Sequence, residues 1–565
     1  MEAWSWLDRL PTERGGRSAR ALWIVAIAAL AGGLLTWGLG LGVVALWAFV
    51  TAAVAVALVL PLPYALVSPL FMGVVGWLVD MVPFLVLIGW GVVVSRWAIG
   101  LVRARRMPRG GLWIWVPIGL AVWTTLGVVA ITGADVKHFL LLLGIQLVAS
   151  GAILAVGDAL STLEDRTRLV SGLVAFVVVL SAGVVLEYAG VPVQSMQDAR
   201  VSTLVESAYG VDAFPNDIGM VKYERSRIGG AGELLGKIEK LRNEHADIPP
   251  VEVFQPRLGT FVGKLIVRFE GSARPYENEL AALGVDLTYD NLGLGVSNTV
   301  PRMRSFPRNA NTYAGVAAAA LPFAFFLAWT STGRRRVLGW AGVVASLFGI
   351  GFSLTRGAWL ATFLGLALLV VLGVVSRRHK VEAVAAFVLA ALFLTGFFLI
   401  KYNVDPLFAR AKGEGSINTR QNLYQDTLES VNGINLLVGY GTERPRTSAG
   451  VSHALGQYIP RSGTHSTYLN YFFRTGAPGA LMIIALYAWA GLHALFASRK
   501  GDGAEATFFS VAAAAVVIAA AHGVVLSFYV EPVYTLTISL VLGLALTAPE
   551  AGGRTALSRG RPVHR

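Results

Sequence analysis

Apolar runs of roughly 20 residues, each long enough to cross a bilayer, recur along most of the chain. They begin near residues 21, 41, 62, 82, 112, 138, 169, 312, 337, 358, 382, 467, 504 and 530. Together they predict about fourteen helices of spanning length. The run 62 to 79 is the weakest, because Pro61, Pro63 and Pro69 withhold backbone donors from it. Two long polar stretches, about 188 to 311 and 401 to 466, separate the runs. In the first, Ala231 to His245 has helical spacing, whereas Val251 to Gln255 and Lys264 to Glu270 alternate as strands do. The pattern predicts an all-α polytopic membrane protein with two large loops, the first holding a small α/β subdomain. Its divisions are N-terminal spans over 1–187, the first loop over 188–311 and central spans over 312–400. The second loop follows over 401–466, and C-terminal spans with a basic tail complete the chain over 467–565.

Composition supports this and excludes a soluble multidomain chain. Of 565 residues, 55% are hydrophobic and only 14% charged, where a soluble chain carries about a quarter charged. The 47 Lys and Arg against 34 Asp and Glu give a formal charge of +13. They sit in short clusters between apolar runs, where they orient spans and meet anionic lipid head groups, so nucleic acid is rejected as a partner. A cytoplasmic amino terminus puts Arg103/Arg105/Arg106/Arg109, Arg166/Arg168, Arg334/Arg335/Arg336, Arg377/Arg378/Lys380, Arg499/Lys500 and the tail on the cytoplasmic side. Both long polar stretches then fall outside. The first run follows Arg14, Arg17 and Arg20 without a small-residue cleavage site, and reads as an uncleaved span. With no cysteine there is no disulfide framework, thiolate metal site or cysteine nucleophile.

The chain has no Asp-x-Asp pair, no His-Glu-x-x-His and no Gly-x-Ser-x-Gly. The stretch Gly229 to Lys237 imitates a phosphate loop, but Ala231 takes the first glycine position and Ile238 replaces the Ser/Thr. Arg356, in Ser353-Leu354-Thr355-Arg356-Gly357-Ala358-Trp359, breaks the orientation rule by standing in a short outer turn. Its planar fork suits bidentate phosphate binding, and Gly357 permits close backbone approach; the other reading is an interfacial arginine reaching lipid head groups beside Trp359. Arg302, Arg304 and Arg308 precede the span at 312, and Arg420 lies in the second loop. They could join Arg356 around a diphosphate or be solvated surface charges. His465 stands where the second loop enters a span. An imidazole with an ordinary pKa of about 6.5 can take a proton from an acceptor hydroxyl, or simply hydrogen-bond a carbonyl where a helix begins. The histidines lack metal-ligand spacing, so no metal and no other cofactor is expected.

Four stretches resemble the O-antigen ligase and O-antigen polymerase superfamily, which includes bacterial protein O-oligosaccharyltransferases. Arg304-Ser305-Phe306-Pro307-Arg308-Asn309-Ala310-Asn311 resembles its Phe, Asn-x-Asn segment, and Thr355-Arg356-Gly357-Ala358-Trp359 its Ser-Arg-Gly-Ala turn. Asn418-Thr419-Arg420, Tyr424 and Val438-Gly439-Tyr440-Gly441 are similar to its arginine, aromatic and Gly-x-Gly run. His465-Ser466-Thr467-Tyr468-Leu469, then Gly476 and Gly479, resembles its His-Asn-x-x-Leu and Gly-x-x-Gly close. Two positions depart from the pattern: Ser466 replaces the usual Asn, and Arg474 stands where the family favours Glu.

The resemblance implies glycan transfer from an undecaprenyl diphosphate carrier to an acceptor hydroxyl at the outer face of a bacterial cytoplasmic membrane. Arg356, helped by Arg302, Arg304 and Arg420, would hold the diphosphate, with Arg308, Asn311 and Tyr468 among the substrate-binding residues and His465 activating the acceptor. The acceptor, whether glycan, lipid or protein, separates ligase, polymerase and protein glycosyltransferase. A lipid-linked glycan flippase is the rival from another class, but transporters place ionisable residues near the midplane and often show paired repeats, whereas these charges gather at span ends. A structural scaffold would need no phosphate-binding cluster. The topology is tested by single cysteines in this cysteine-free chain: Ser207→Cys should be labelled by an impermeant reagent in intact cells, and labelling only after permeabilisation would refute it.

Overall fold

The computed structural model describes residues 17–39, 41–79, 82–109, 115–129, 136–188, 218–222, 231–254, 264–269, 273–285, 305–307, 310–353, 355–371, 381, 384–385, 388, 424–425, 427–441, 466–526 and 532–549. The first eight helices are α1 (Arg17–Gly38), α2 (Gly42–Val59), α3 (Leu62–Ala65), α4 (Ser68–Val79), α5 (Val82–Arg103), α6 (Trp115–Val129), α7 (Val136–Ala159) and α8 (Leu163–Tyr188). A small mixed unit follows: β1 (Ile218–Lys222), α9 (Ala231–Glu244), β2 (Val251–Phe254), β3 (Lys264–Phe269) and α10 (Glu277–Ala282). Then come α11 (Ala310–Thr330), α12 (Gly333–Phe352), α13 (Arg356–Val371), α14 (Asn435–Val438), α15 (Thr467–Lys500), α16 (Gly503–Gly523) and α17 (Pro532–Ala545). Among the described residues, seven helices are long and apolar enough to cross a membrane, and six shorter apolar stretches accompany them. Outside the small mixed unit, the described residues form the all-α bundle of a membrane protein. The span expected from 382 lies largely outside the described residues.

Buried backbone groups must be paired where water is absent, and the proline-broken run shows how. It divides into α3 and α4. Pro61 has no N–H for the carbonyl of Ala57, four residues back. Arg96 of α5 supplies the missing donor: its Nη1 donates to Ala57 O at 3.1 Å, Leu58 O at 3.3 Å and Leu60 O at 2.7 Å. A cation at the C-terminal end of α2 also complements its dipole.

The bundle centres on α11, whose residues 312 to 328 are all buried. It packs against α8, α12, α13, α16 and α17. Small residues permit the close approach of α12: a side chain at Gly339 would collide with the backbone of Leu327 and Ala328. A polar clamp joins three helices, with Ser181 Oγ 2.8 Å from Tyr313 Oη and donating to Ala345 O at 2.9 Å.

One end of the bundle gathers the basic clusters. Arg106 holds Asp158 through two bonds, of 2.7 and 2.9 Å. Arg335 holds Glu164 through two of 2.7 Å. Arg166, wholly buried, donates to Glu505 Oε1 at 3.2 Å and to Ala548 O at 2.9 Å, between the rings of Phe508 and Phe509. It thus ties the start of α8 to the start of α16 and the end of α17.

In the mixed unit the antiparallel order is β1-β3-β2, with Ile218 opposite Arg268 and Val251 opposite Phe269. Val267 and Phe269 face a core with Leu234, Ile238 and Leu280. Lys237, the lysine of the false phosphate loop, is on the exposed face of α9 and pairs with Glu233 at 2.6 Å.

Replacing Arg166 by Met should destabilise the protein by about 3 kcal/mol, because a partly buried carboxylate and a carbonyl lose their donor. Detergent unfolding of the purified protein measures this; a loss below about 1 kcal/mol would show the clamp to be dispensable.

Candidate active site

At the opposite end three helix N-termini are tied into one assembly. The turn before α13 is fixed by Ser353, whose Oγ donates to Ile350 O at 2.9 Å and accepts from Thr355 N at 3.3 Å. Thr355 Oγ1 donates toward Asn311 Oδ1 at 3.2 Å, which anchors this turn to the first turn of α11. The Thr355 carbonyl starts α13 by accepting from Ala358 N at 3.0 Å and Trp359 N at 3.1 Å. Arg356 is therefore the first residue of α13 and half-buried. A cation there opposes the positive end of the helix dipole, so the position is poor for stability and good for an anion.

The third N-terminus belongs to α15, capped by Ser466, whose Oγ accepts from Leu469 N at 3.5 Å. Ser and Asn are interchangeable caps, which explains why serine is tolerated there. The residues ending α16 connect the assembly. Leu526 O accepts from Thr467 Oγ1 at 2.7 Å, and Val524 O accepts from Tyr424 Oη at 2.7 Å. Val525 fills the space left by the missing side chain of Gly357. The close approach at Gly357 is therefore made by this segment. His522 Nδ1 lies 2.8 Å from Tyr534 Oη, and both rings pack where a side chain at Gly315 of α11 would collide.

Helix α15 is broken at Gly476 (φ 68°, ψ −172°), and Pro478 follows. The break leaves three carbonyls without their usual partners four residues on, and Pro478 has no N–H for that of Arg474. Each finds another donor: Phe473 O accepts from Tyr440 N at 2.8 Å, Arg474 O from Gly441 N at 2.9 Å, and Thr475 O from Trp123 Nε1 at 2.9 Å. Gly439 (φ 73°) turns the chain after α14 so that residues 440 and 441 reach the break. A side chain at Gly439 would collide with Arg474 O, and one at Gly476 with Leu437 O. Tyr440 stacks on Phe473 with ring centres 4.8 Å apart. Arg474, buried, donates from Nε to Asn470 Oδ1 at 2.7 Å and from Nη1 to Gly441 O at 3.1 Å. Its place in the structure is to hold this loop to the N-terminal part of α15.

Of the residues singled out in the sequence, Arg356 and Asn311 are brought together through Thr355. Tyr468 is held at the same end, but its Oη donates to Ala520 O at 2.8 Å. Its ring borders an apolar groove of about 540 Å³ between α13, α15 and α16, with Leu368, Tyr487 and Val516. His465, Arg302, Arg304, Arg308 and Arg420 lie outside the described residues. Sequence reasoning missed the connector at 522–526 and the donor Trp123; the buried His522, in an otherwise apolar run, was the one signal there.

Fold and site together define a polytopic helical membrane protein with an arginine-bearing cluster of helix N-termini at the end opposite its basic loops. Residues 341–484 match the family model described as O-antigen ligase. The match covers α13, the Gly439–Gly441 loop and the break in α15, and supports over this stretch the resemblance to the O-antigen ligase superfamily. No curated protein matches the chain.

Gly476→Ala should cost about 1–3 kcal/mol from the positive φ alone, and more from the collision with Leu437. Gly100→Ala, in open space, is the control. Equal unfolding midpoints for the two variants would contradict the account of the break.

Proposed function

We propose that the protein transfers an oligo- or polysaccharide from an undecaprenyl diphosphate donor to an acceptor hydroxyl at the outer face of the bacterial inner membrane. One observation carries the reading: Arg356 opens α13 against the helix dipole, beside the N-terminus of α11, in the part of the chain that matches the O-antigen ligase family. The arrangement favours a diphosphate, and Arg302, Arg304, Arg308 and Arg420 would add charge. The apolar groove beside Tyr468 would take the first isoprene units of the donor. About fourteen crossings follow if the six shorter apolar stretches and the run from 382 also span.

In the reaction, His465 takes the proton of the acceptor hydroxyl as its oxygen bonds to the anomeric carbon. The bond from that carbon to the phosphate oxygen breaks, and its electron pair leaves with the diphosphate. Arginine charge stabilises that leaving group, the task a divalent cation performs elsewhere. The acceptor sets whether the enzyme acts as ligase, polymerase or protein glycosyltransferase. A flippase is disfavoured because the described arginine clusters lie at helix ends.

Transfer from a purified lipid-linked donor should proceed in excess chelator. Arg356→Ala should weaken donor binding and abolish most turnover, with Arg356→Lys in between because it keeps charge but loses the fork. His465→Ala should cut turnover by about 100-fold or more at nearly unchanged donor affinity. Neutral imidazole is the active form, so wild-type activity should fall as pH drops through its pKa, and the mutant should lose that acid limb. Normal donor binding in Arg356→Ala, or wild-type turnover in His465→Ala, would overturn the assignment.

A further inference from the structure

At the basic end a second cavity, of about 460 Å³, opens between α3, α4, α8 and α12, far along the bundle from Arg356. Its walls are mainly apolar, including Val67, Phe71, Ala175 and Leu338, and the hydroxyls of Ser68 and Ser171 that also line it are bonded to the carbonyls of Ala65 and Thr167. On α8 its lining runs from Ser171 to Ala175, about 6 Å at 1.5 Å per residue. Polarity is concentrated at the mouth, where Tyr64, Arg334 and Arg335 stand.

The charges around the mouth are unequal. Glu164 is held by Arg335 and Arg168, and Asp165 by Arg168 at 3.4 Å. Arg334 and Arg336 are exposed, with no ion pair to a carboxylate among the described residues, which leaves the mouth positive. A slot whose walls are mainly apolar and whose mouth is cationic matches a molecule with one anionic head and an alkyl tail. We propose that this slot binds an anionic glycerophospholipid from the surrounding leaflet, its phosphate at Arg334 and one acyl chain along Phe71, Ala175 and Leu338. The site is independent of the transfer reaction. A bound lipid here would fill the space between α4, α8 and α12 and so brace α8 and α12, two of the helices that enclose α11.

Native mass spectrometry of the full-length protein, released from nanodiscs of equal phosphatidylcholine and phosphatidylglycerol, reads the retained lipid directly. The wild type should retain one phosphatidylglycerol in preference to phosphatidylcholine. Arg334→Glu should lower that retention at least about fivefold, and Arg334→Lys should largely preserve it. Ala175→Phe, which fills the slot, should lower retention with the head-group site intact. Arg334 is exposed and its substitution spares the core, so this variant decides the matter if Ala175→Phe fails to fold. Equal retention of the two lipids, unchanged retention in Arg334→Glu, or displacement of the lipid by millimolar glycerol phosphate would each overturn the proposal.

Discussion

The rest of the structure depends on pairing the backbone carbonyls that α15 releases at Gly476. In an apolar bundle an unpaired carbonyl is too costly to persist, so a broken helix exists only where other groups supply donors. Here they come from the Gly439–Gly441 loop and from Trp123. The pairing works in both directions. It makes the break affordable, and it pins residues 427–441 of the second polar stretch to the bundle through Tyr440, Gly441 and Arg474.

The break also gives function a foundation. The part of α15 before the break is short, capped by Ser466, and held by Thr467 to Leu526. The same connector packs on Gly357 at the start of α13, and α13 is held to α11 through Thr355 and Asn311. Three helix N-termini, with Arg356 on one of them, are thereby joined into one positively polarised end. The arginines at the other end are used differently: those of the Asp158, Glu164 and Glu505 pairs are neutralised and serve as clamps.

Much of the fold was legible because it is periodic. Runs of apolar residues mark the helices, alternation marks β2 and β3, and Pro61 and Pro63 mark the interruption after α2. Arg356 stood out by its position against the charge bias. What lacked a trace were pairings between distant positions. Nothing in the pattern announces that Arg96 replaces the amide missing at Pro61, or that Gly441 answers Arg474. The connector 522–526 was hidden at the end of an apolar run, where its carbonyls, not its side chains, make most of the contacts. The departure at Arg474 was visible as an odd charge, but its use as a loop clamp requires knowing that Gly441 lies beside it.

The central claim is that the end bearing Arg356 receives a lipid-linked diphosphate next to the residue that activates the acceptor. The most direct measurement is a structure of the full-length protein in a lipid nanodisc with a non-hydrolysable polyprenyl diphosphate glycan. The account predicts a phosphate oxygen about 3 Å from the Arg356 guanidinium, with His465 facing the anomeric carbon from the acceptor side. A diphosphate bound elsewhere, with Arg356 turned to lipid head groups and His465 outside the cavity, would contradict it.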